Sequence, residues 1–469
     1  MTDLVWFRND LRLEDHPALT SARAAGPALG LYIVSPAQWR EHDEAPVKIE
    51  FWRRLLKDLS PRLAMHGVAL KLLRVDRWDD VPAALLHFCQ THGIKRVHCN
   101  REQAVNERRR DRACFLRLRE HDIKMIAHDG QTLLPPGELK TGGGDTYRVF
   151  TPFARACRAR LASTGIELSS TPQPLALPTG VAPDDIDEVW PDALPSLAPE
   201  WSADHQVIYE RLNTFAQNHL REYDQTRDFP AQPGTSRLSP YLAAGAVSAK
   251  QCLSVALAAN HGEFESGNVG IRSWINELIW REFYWHLLHG YPQLSMKRPL
   301  RLETEAVVWR DAKPDFEAWA QGRTGIPIVD SAMKQLVTTG WMHNRLRMIV
   351  AMFLTKNLLI DWRLGERFFM QHLIDGELAA NNGGWQWSAS TGADAAPYFR
   401  VFNPVTQSQR FDPDGTFIRQ WLPELNALDH KTIHDPSVEQ RQRTGYPQAI
   451  VDLKASRLRA IDAFKRLSA

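Results

Sequence analysis

Cysteine is scarce in this chain. There are five in 469 residues (Cys89, Cys99, Cys114, Cys157 and Cys252), an odd number with no C-x-x-C pair. That excludes a disulfide framework and a cysteine-built zinc site, no metal is expected, and the usage fits a reducing, cytoplasmic setting. Long apolar runs are missing too: none approaches the ~18 residues of a membrane span. The opening Met-Thr-Asp-Leu-Val-Trp-Phe lacks the basic-then-apolar pattern of a secretory signal. Charge of one sign is nearly absent in net terms, with 57 Lys and Arg against 55 Asp and Glu, or +2 overall. Any nucleic acid must then be met by a local patch rather than a global field. No G-x-G-x-x-G follows the first apolar run, so the usual dinucleotide fingerprint is absent.

What is present is a globular composition, 43% hydrophobic and 24% charged, long enough for two or three domains. Over residues 1–130, apolar runs at Leu4–Phe7, Leu29–Val34, Val68–Leu73, Ile94–Cys99 and Ile123–Ala127 read as strands. Helical spacing at 48–65, 81–92 and 103–121 lies between them. This alternation predicts a five-stranded parallel sheet covered on both faces, with ligands outside the carboxyl ends of the strands. Residues 172–199 hold seven prolines (172, 174, 178, 183, 191, 195 and 199), which predicts an irregular connector inside a 131–200 linker. From Trp201 onward the pattern is helical, at 205–221, 249–260, 269–289, 315–321, 328–339, 345–359 and 363–373, so residues 201–469 read as a larger all-α domain. Eleven of the sixteen tryptophans lie in that part. A large helical core accounts for several of them.

Four segments carry chemistry. Residues 375–399 combine Asp375, Glu377, the run Asn381-Asn382-Gly383-Gly384, and Trp385 and Trp387. Adjacent amides and glycines weaken a helix, so this segment reads as turns lining a cleft, with indole surfaces for an aromatic ligand. In Gly234-Thr235-Ser236-Arg237-Leu238-Ser239-Pro240, Ser239 reads as an N-cap with Pro240 at the first helical position. A helix start rich in hydroxyls suits a diphosphate, but taken alone it reads as a plain capped helix. Tyr223 and Arg227 nearby shift the reading towards a phosphate-bearing cofactor. Glu277, Trp280, Arg281 and Tyr284 fall at i, i+3, i+4 and i+7 and share one helix stripe, with Ile275 and Ile279 opposite. The stripe fits base stacking with phosphate contact, or an exposed Glu277–Arg281 pair beside amphipathic aromatics. In Gly340–Met348, Asn344 and Arg347 lie one turn apart; an arginine of this segment is available to neutralise Asp375 in a buried pair, or the segment simply begins a basic surface helix, and spacing alone does not choose. Trp309 and Trp362, taken singly, read as core.

Taken in order, Leu4-Val-Trp-Phe-Arg-Asn-Asp-Leu-Arg12, Thr235-Ser-Arg-Leu-Ser-Pro-Tyr-Leu242, Asn276-Glu-Leu-Ile-Trp-Arg-Glu-Phe283, Gly340-Trp-Met-His-Asn-Arg-Leu-Arg-Met348 and Asn381-Asn-Gly-Gly-Trp-Gln-Trp387 resemble the photolyase–cryptochrome family over essentially the whole chain. The likeness is nearest to its class I cyclobutane pyrimidine dimer photolyases. The resemblance implies a Rossmann-like antenna domain followed by an all-α FAD-binding domain that holds the flavin in a U shape. It implies that Tyr223, Thr235, Ser236, Arg237, Leu238 and Ser239 hold FAD, chiefly at the phosphates. Asn344, Asp375, Gly376 and Glu377 would contact flavin and ribose, with Arg347 paired to Asp375. Asn381 would face the flavin's central ring nitrogen, where a neutral amide can hydrogen-bond reduced flavin without adding charge.

By the same resemblance, Trp385, Trp362 and Trp309 form an electron relay, and Glu277, Trp280, Met348 and Trp387 receive a flipped-out dimer. Arg227, Arg281 and Arg345 contact DNA, and Tyr284 and Asn344 join the substrate side. His42, Asn106 and Glu107 match contacts to a methenyltetrahydrofolate antenna, with a deazaflavin or an empty site as alternatives. Met296 and Lys297 stand where that subgroup often has a basic residue, and Glu377 stands where Asp is commoner. The implied activity is light-driven repair of cyclobutane dimers in UV-damaged DNA by reduced FAD, a carbon–carbon lyase reaction, in a monomer with no obligate protein partner. The alternatives are a non-repairing blue-light receptor, a six–four photoproduct enzyme and a single-strand-specific relative. Asn381, Trp387 and the end at Ala469 without a long tail favour cyclobutane repair, and Trp-Met-His-Asn resembles that subgroup rather than the six–four one.

Overall fold

The computed structural model describes residues 3–190 and 193–467. Pro191 of the proline-rich stretch, the first two residues and the Ala469 end lie outside the described residues.

Five strands, β1 (Asp3–Phe7), β2 (Ala28–Val34), β3 (Val68–Arg74), β4 (Arg96–Asn100) and β5 (Lys124–His128), pair in parallel in the order β3-β2-β1-β4-β5. Register places Leu4 beside Leu29 on one side and Val97 on the other. The central strand is buried throughout, as a parallel sheet covered on both faces requires. Helices α1 (Pro17–Arg23), α2 (Pro36–Glu41), α3 (Pro46–Met65), α4 (Val81–Thr91) and α5 (Val105–Arg119) connect the strands. The strands match expectation to within two residues. The short α1 and α2 were not expected; a proline begins each, and His16 Nδ1 caps α1 by accepting from the Leu19 N–H at 3.0 Å.

Beyond β5, no strand is found among the described residues. The chain continues through α6 (Phe150–Thr164), α7 (His205–Asn218), α8 (Tyr223–Thr226), α9 (Ser239–Ala244), α10 (Ala249–Ala259) and α11 (Val269–Gly290). It then forms α12 (Lys313–Ala320), α13 (Pro327–Thr339), α14 (Asn344–Met352), a π-helical turn at Phe353–Asn357, α15 (Trp362–Met370) and α16 (Leu378–Ala389). Four helices complete it: α17 (Pro404–Phe411), α18 (Thr416–Trp421), α19 (Val438–Thr444) and α20 (Leu453–Lys465). Two compact units emerge. The first comprises residues 1–147, 151–220 and 236–292, and the second 148–150, 221–235 and 293–469. The sheet therefore shares its unit with α9–α11.

Residues 131–190 are more than an irregular connector. They contain α6, and the backbone N–H groups of Leu133 and Leu134 donate to the buried Glu282 carboxylate of α11 at 2.9 and 3.0 Å. No helix among the described residues is long and apolar enough to cross a membrane.

The Asn381–Gly384 run does not form turns. It lies inside α16, which ends only at Ser390 in the left-handed region. Two glycines cost a helix about 1 kcal/mol each. Burial of Trp385, Asn382 and Gln386, with both amides hydrogen-bonded in the core, offsets that penalty. Ser239 is likewise not an N-cap. Leu238 already has helical angles and accepts from Leu242 N–H at 2.9 Å, so the turn starts one residue earlier on a buried leucine and leaves Ser239 exposed.

Candidate functional site

In the first unit, residues gather in the segments that follow β2 and β4, the strands on either side of β1. His42 follows α2, and Asn106 and Glu107 open α5. His42 Nε2 lies 3.0 Å from Asn106 Nδ2 and 3.1 Å from Gln38 Nε2. Both neighbours present amide nitrogens to the ring, and burial pushes its pKa below the usual range. The Trp78 ring packs edge-on against His42 at 4.7 Å, and the Arg110 guanidinium sits 4.4 Å over Trp78. Burial, with repulsion from Glu102, pushes the Glu107 carboxyl up to about 7. The structure thus brings His42 and Asn106 into contact, with Glu107 the next residue of α5. Gln38, Trp78 and Arg110 join them. Sequence reasoning passed over these three, since none stands in a distinctive local pattern.

On α11, Glu277, Trp280, Arg281 and Tyr284 are all half-buried, while Ile275 and Ile279 are fully buried. This is the division that the spacing predicts. Trp280 and Tyr284 rings tilt against each other at 5.8 Å. Arg281 donates to the Gln131 carbonyl at 3.1 Å and lies 5.3 Å over Trp285. Ser236 and Arg237 are half-buried, and Arg237 adopts φ 50°, a conformation uncommon outside glycine.

In the second unit, two segments are laced together. Gly340 ends α13 at φ 73°, and its carbonyl accepts from Ile374 N–H at 2.7 Å. Arg347 Nε donates to the Met342 carbonyl at 2.8 Å, and Nη2 bonds Asp375 Oδ2 at 2.7 Å. The Arg347–Asp375 pair is therefore formed. Asp375 Oδ1 is buried with no hydrogen-bond partner among the described residues. A buried carboxylate oxygen left unmatched costs several kcal/mol, so a ligand N–H or O–H donor fits there. Gly376 is buried, Glu377 half-buried at the cap position of α16, and Asn344 exposed at the start of α14.

Asn381 is half-buried, and its Nδ2 donates to the Glu366 carbonyl at 3.0 Å. Its amide oxygen is then left to accept. A Cβ built on Gly384 meets no protein atom within 4 Å, so packing does not demand that glycine. Trp387 is half-buried and has no ring partner among the described residues.

Arg227, Arg345, Met348 and Tyr223 cluster around two residues that the sequence did not flag. Arg345 Nη2 pairs with Asp228 at 2.7 Å and lies 4.4 Å over Phe411; its Nη1 is 3.8 Å from Met348 Sδ. Arg227 lies 3.8 Å from Asp228 and 5.5 Å over Tyr223. Thr235 is half-buried and Leu238 buried.

Trp362 and Trp385 belong to one buried core, and Trp309 packs against it. The ring neighbours of Trp385 are Phe369 at 4.9 Å and Trp319 at 6.0 Å, both edge-on, rather than Trp362. Trp309 meets Phe464 at 6.1 Å. On α15, a Cβ at Gly365 would overlap the Trp385 indole, so this glycine permits the close approach of α16.

A parallel α/β sheet with His42 and Asn106 in contact beyond its strand ends, followed by a helical part in which Asp375 and Glu377 precede the amide-bearing α16, is a two-part architecture that comparison with known proteins assigns to a class. Residues 3–177 match the family model for DNA photolyase, and residues 274–466 that for the FAD binding domain of DNA photolyase. The chain belongs to the DNA photolyase family. It is 43% identical over 470 residues to the deoxyribodipyrimidine photo-lyase of Escherichia coli, covering 99% of this chain and 98% of that protein. Among solved structures it resembles a bacterial class III photolyase from Agrobacterium tumefaciens (TM-score 0.86, 34% identity, 100% of this chain and 98% of that one). It also resembles a Synechocystis cryptochrome (TM-score 0.85, 27% identity, 98% and 99%).

Proposed function

We propose that the protein uses light to split cyclobutane pyrimidine dimers in UV-damaged DNA. The observation that carries this reading is the hydrogen bonding of Asn381. One Nδ2–H donates to the Glu366 carbonyl, which leaves the amide oxygen as a neutral acceptor, suited to an N–H of reduced flavin. FAD, held in its reduced form, would supply the photoexcited electron and accept its return. Asp375 Oδ1 accepts a donor of that group, and Arg347 fixes the carboxylate's orientation. The family resemblance assigns Asn344, Gly376 and Glu377 to the flavin and ribose, and Tyr223, Thr235, Ser236, Arg237, Leu238 and Ser239 to the phosphates.

A flipped-out lesion costs on the order of a few kcal/mol to extrude. Stacking on Trp280 and Trp387 returns roughly 1–3 kcal/mol per base. Glu277 hydrogen-bonds the bases, with Met348, Tyr284 and Asn344 beside them, and Arg227, Arg281 and Arg345 bind the backbone. Trp385, Trp362 and Trp309 carry electrons inward when the flavin has become oxidised.

In the first unit, His42, Asn106 and Glu107 hold a folate antenna. A Glu107 carboxyl near its midpoint at neutral pH can donate to or accept from a pterin's cyclic amide. An absorption band distinct from the flavin's, lost in Glu107→Ala with flavin retained, tests this.

The main test is illumination of the reduced protein with dimer-containing DNA. Loss of dimers in light and none in the dark is the expected result. Unchanged dimers in both would favour the photoreceptor reading, which the likeness to the Synechocystis cryptochrome supports.

A further inference from the structure

A run of buried amides joins α15 to α16 behind Asn381. Glu366 Oε1 accepts from Asn382 Nδ2 at 2.8 Å. Asn382 Oδ1 accepts from Gln386 Nε2 at 2.9 Å, and Gln386 Oε1 takes the Leu300 N–H at 2.9 Å. The backbone carbonyl of the same Glu366 receives the Asn381 amide. One residue therefore grips two successive side chains of α16, one through its carboxyl and one through its carbonyl.

A buried acid ordinarily stands against a cation or several N–H groups. Glu366 is 7% exposed and forms no ion pair among the described residues. Arg363, on the same helix, is engaged by Asp361 at 3.2 Å and Glu305 at 2.7 Å. Lys297 is exposed, α16 carries no charged residue, and Lys356 of the π-helical turn donates to the Ala389 carbonyl and Ser390 Oγ. Burial outweighs the Asn382 hydrogen bond and the more distant attraction of Lys297 and Arg363, and Asp361 adds repulsion.

We propose, resting on the reading that Asn381 meets the flavin, that Glu366 is a positioning residue that tunes the flavin's one-electron equilibrium. A neutral Glu366 carboxyl favours the anionic, fully reduced flavin, and an ionised one disfavours it. The physical reason is direct. A negative charge behind Asn381 repels the negative charge gained on reduction, and low polarity keeps that repulsion strong. Reduction of the neutral flavin radical to the anion adds one electron from an external donor and no proton to the flavin. Its equilibrium should therefore ignore pH unless a nearby group titrates. Burial pushes the Glu366 carboxyl up to about 7, within the range that can be sampled.

The test is stepwise dithionite reduction, with mediators, of the flavin-loaded full chain at fixed potential between pH 6 and pH 8. In the wild type the ratio of radical to fully reduced flavin should rise with pH by about fivefold or more, a typical coupling between two sites. In Glu366→Gln, which keeps the amide-like acceptor without the charge, the ratio should stay flat. A flat wild-type ratio, or the same rise in Glu366→Gln, overturns the inference. Because the wild-type slope decides on its own, a variant that misfolds does not rescue it. A wild-type chain that takes up no flavin overturns the parent reading as well, whereas a flat slope with flavin bound overturns this inference alone.

Discussion

Trp387 offers an indole face that no aromatic of the described protein covers, on the same helix as Asn381. Trp387→Ala should weaken binding of dimer-containing DNA by about 1–3 kcal/mol and leave the flavin content unchanged. A binding titration beside a flavin absorbance spectrum checks both. Arg347 has a different role: it neutralises a carboxylate that is almost fully buried. Arg347→Ala leaves Asp375 buried without its cation, so stability should fall by about 3 kcal/mol, and the purified protein should carry less FAD. Glu366 makes a third case, in which the wild-type residue costs stability. Its folded-state carboxyl is raised from 4.5 to about 7, so the unfolded chain loses this proton first as pH rises. The cost is absent below about pH 4.5, grows to about pH 7 and is constant above, reaching at most about 3 kcal/mol. Glu366→Gln should therefore raise the melting temperature at pH 8 and change it little at pH 4.5.

At the scale of the element, the contact between α15 and α16 turns on Gly365. An alanine there would gain about 1 kcal/mol of helix propensity. Its Cβ would meet the Trp385 indole and Leu354, an overpacking that costs typically 1–3 kcal/mol. Gly365→Ala should displace Trp385 and slow photoreduction of oxidised flavin, as read by flash absorption, while pre-reduced enzyme still acts on DNA. This junction also marks the limit of what the sequence discloses. The strands of the sheet are legible because parallel strands buried on both faces are short apolar runs, and α11 is legible because its stripe repeats at helical spacing. The helical state of Asn381–Gly384 is not, because it depends on Glu366 and Gln386, whose hydrogen bonds are made across the fold. The Arg347–Asp375 pair could be anticipated from charge and motif. Asp228, Phe411, Trp319 and Gln38 could not, since each earns its place through a neighbour distant in sequence and carries no local mark.

For the whole molecule, a net charge of +2 means that binding to a polyanion cannot draw on a general field. The attraction must come from a few arginines, and two of the proposed ones, Arg227 and Arg345, share a single acid, Asp228. Each phosphate neutralised contributes about −0.9 to the slope of log K against log salt. Arg227→Ala should make that slope shallower by about one and weaken damaged and undamaged DNA alike. Asp228→Asn acts in the opposite sense. It removes the charge that occupies Arg345 in the unbound protein, so DNA no longer competes with an intramolecular partner, and binding should tighten and steepen with falling salt. Arg345 would also lose the bond that fixes its guanidinium over Phe411, and that lost order opposes the gain. If affinity drops at low salt, where electrostatic attraction is strongest, then Asp228 serves to aim Arg345 rather than to restrain it. Measured across a salt series, the sign of the change decides between those two roles.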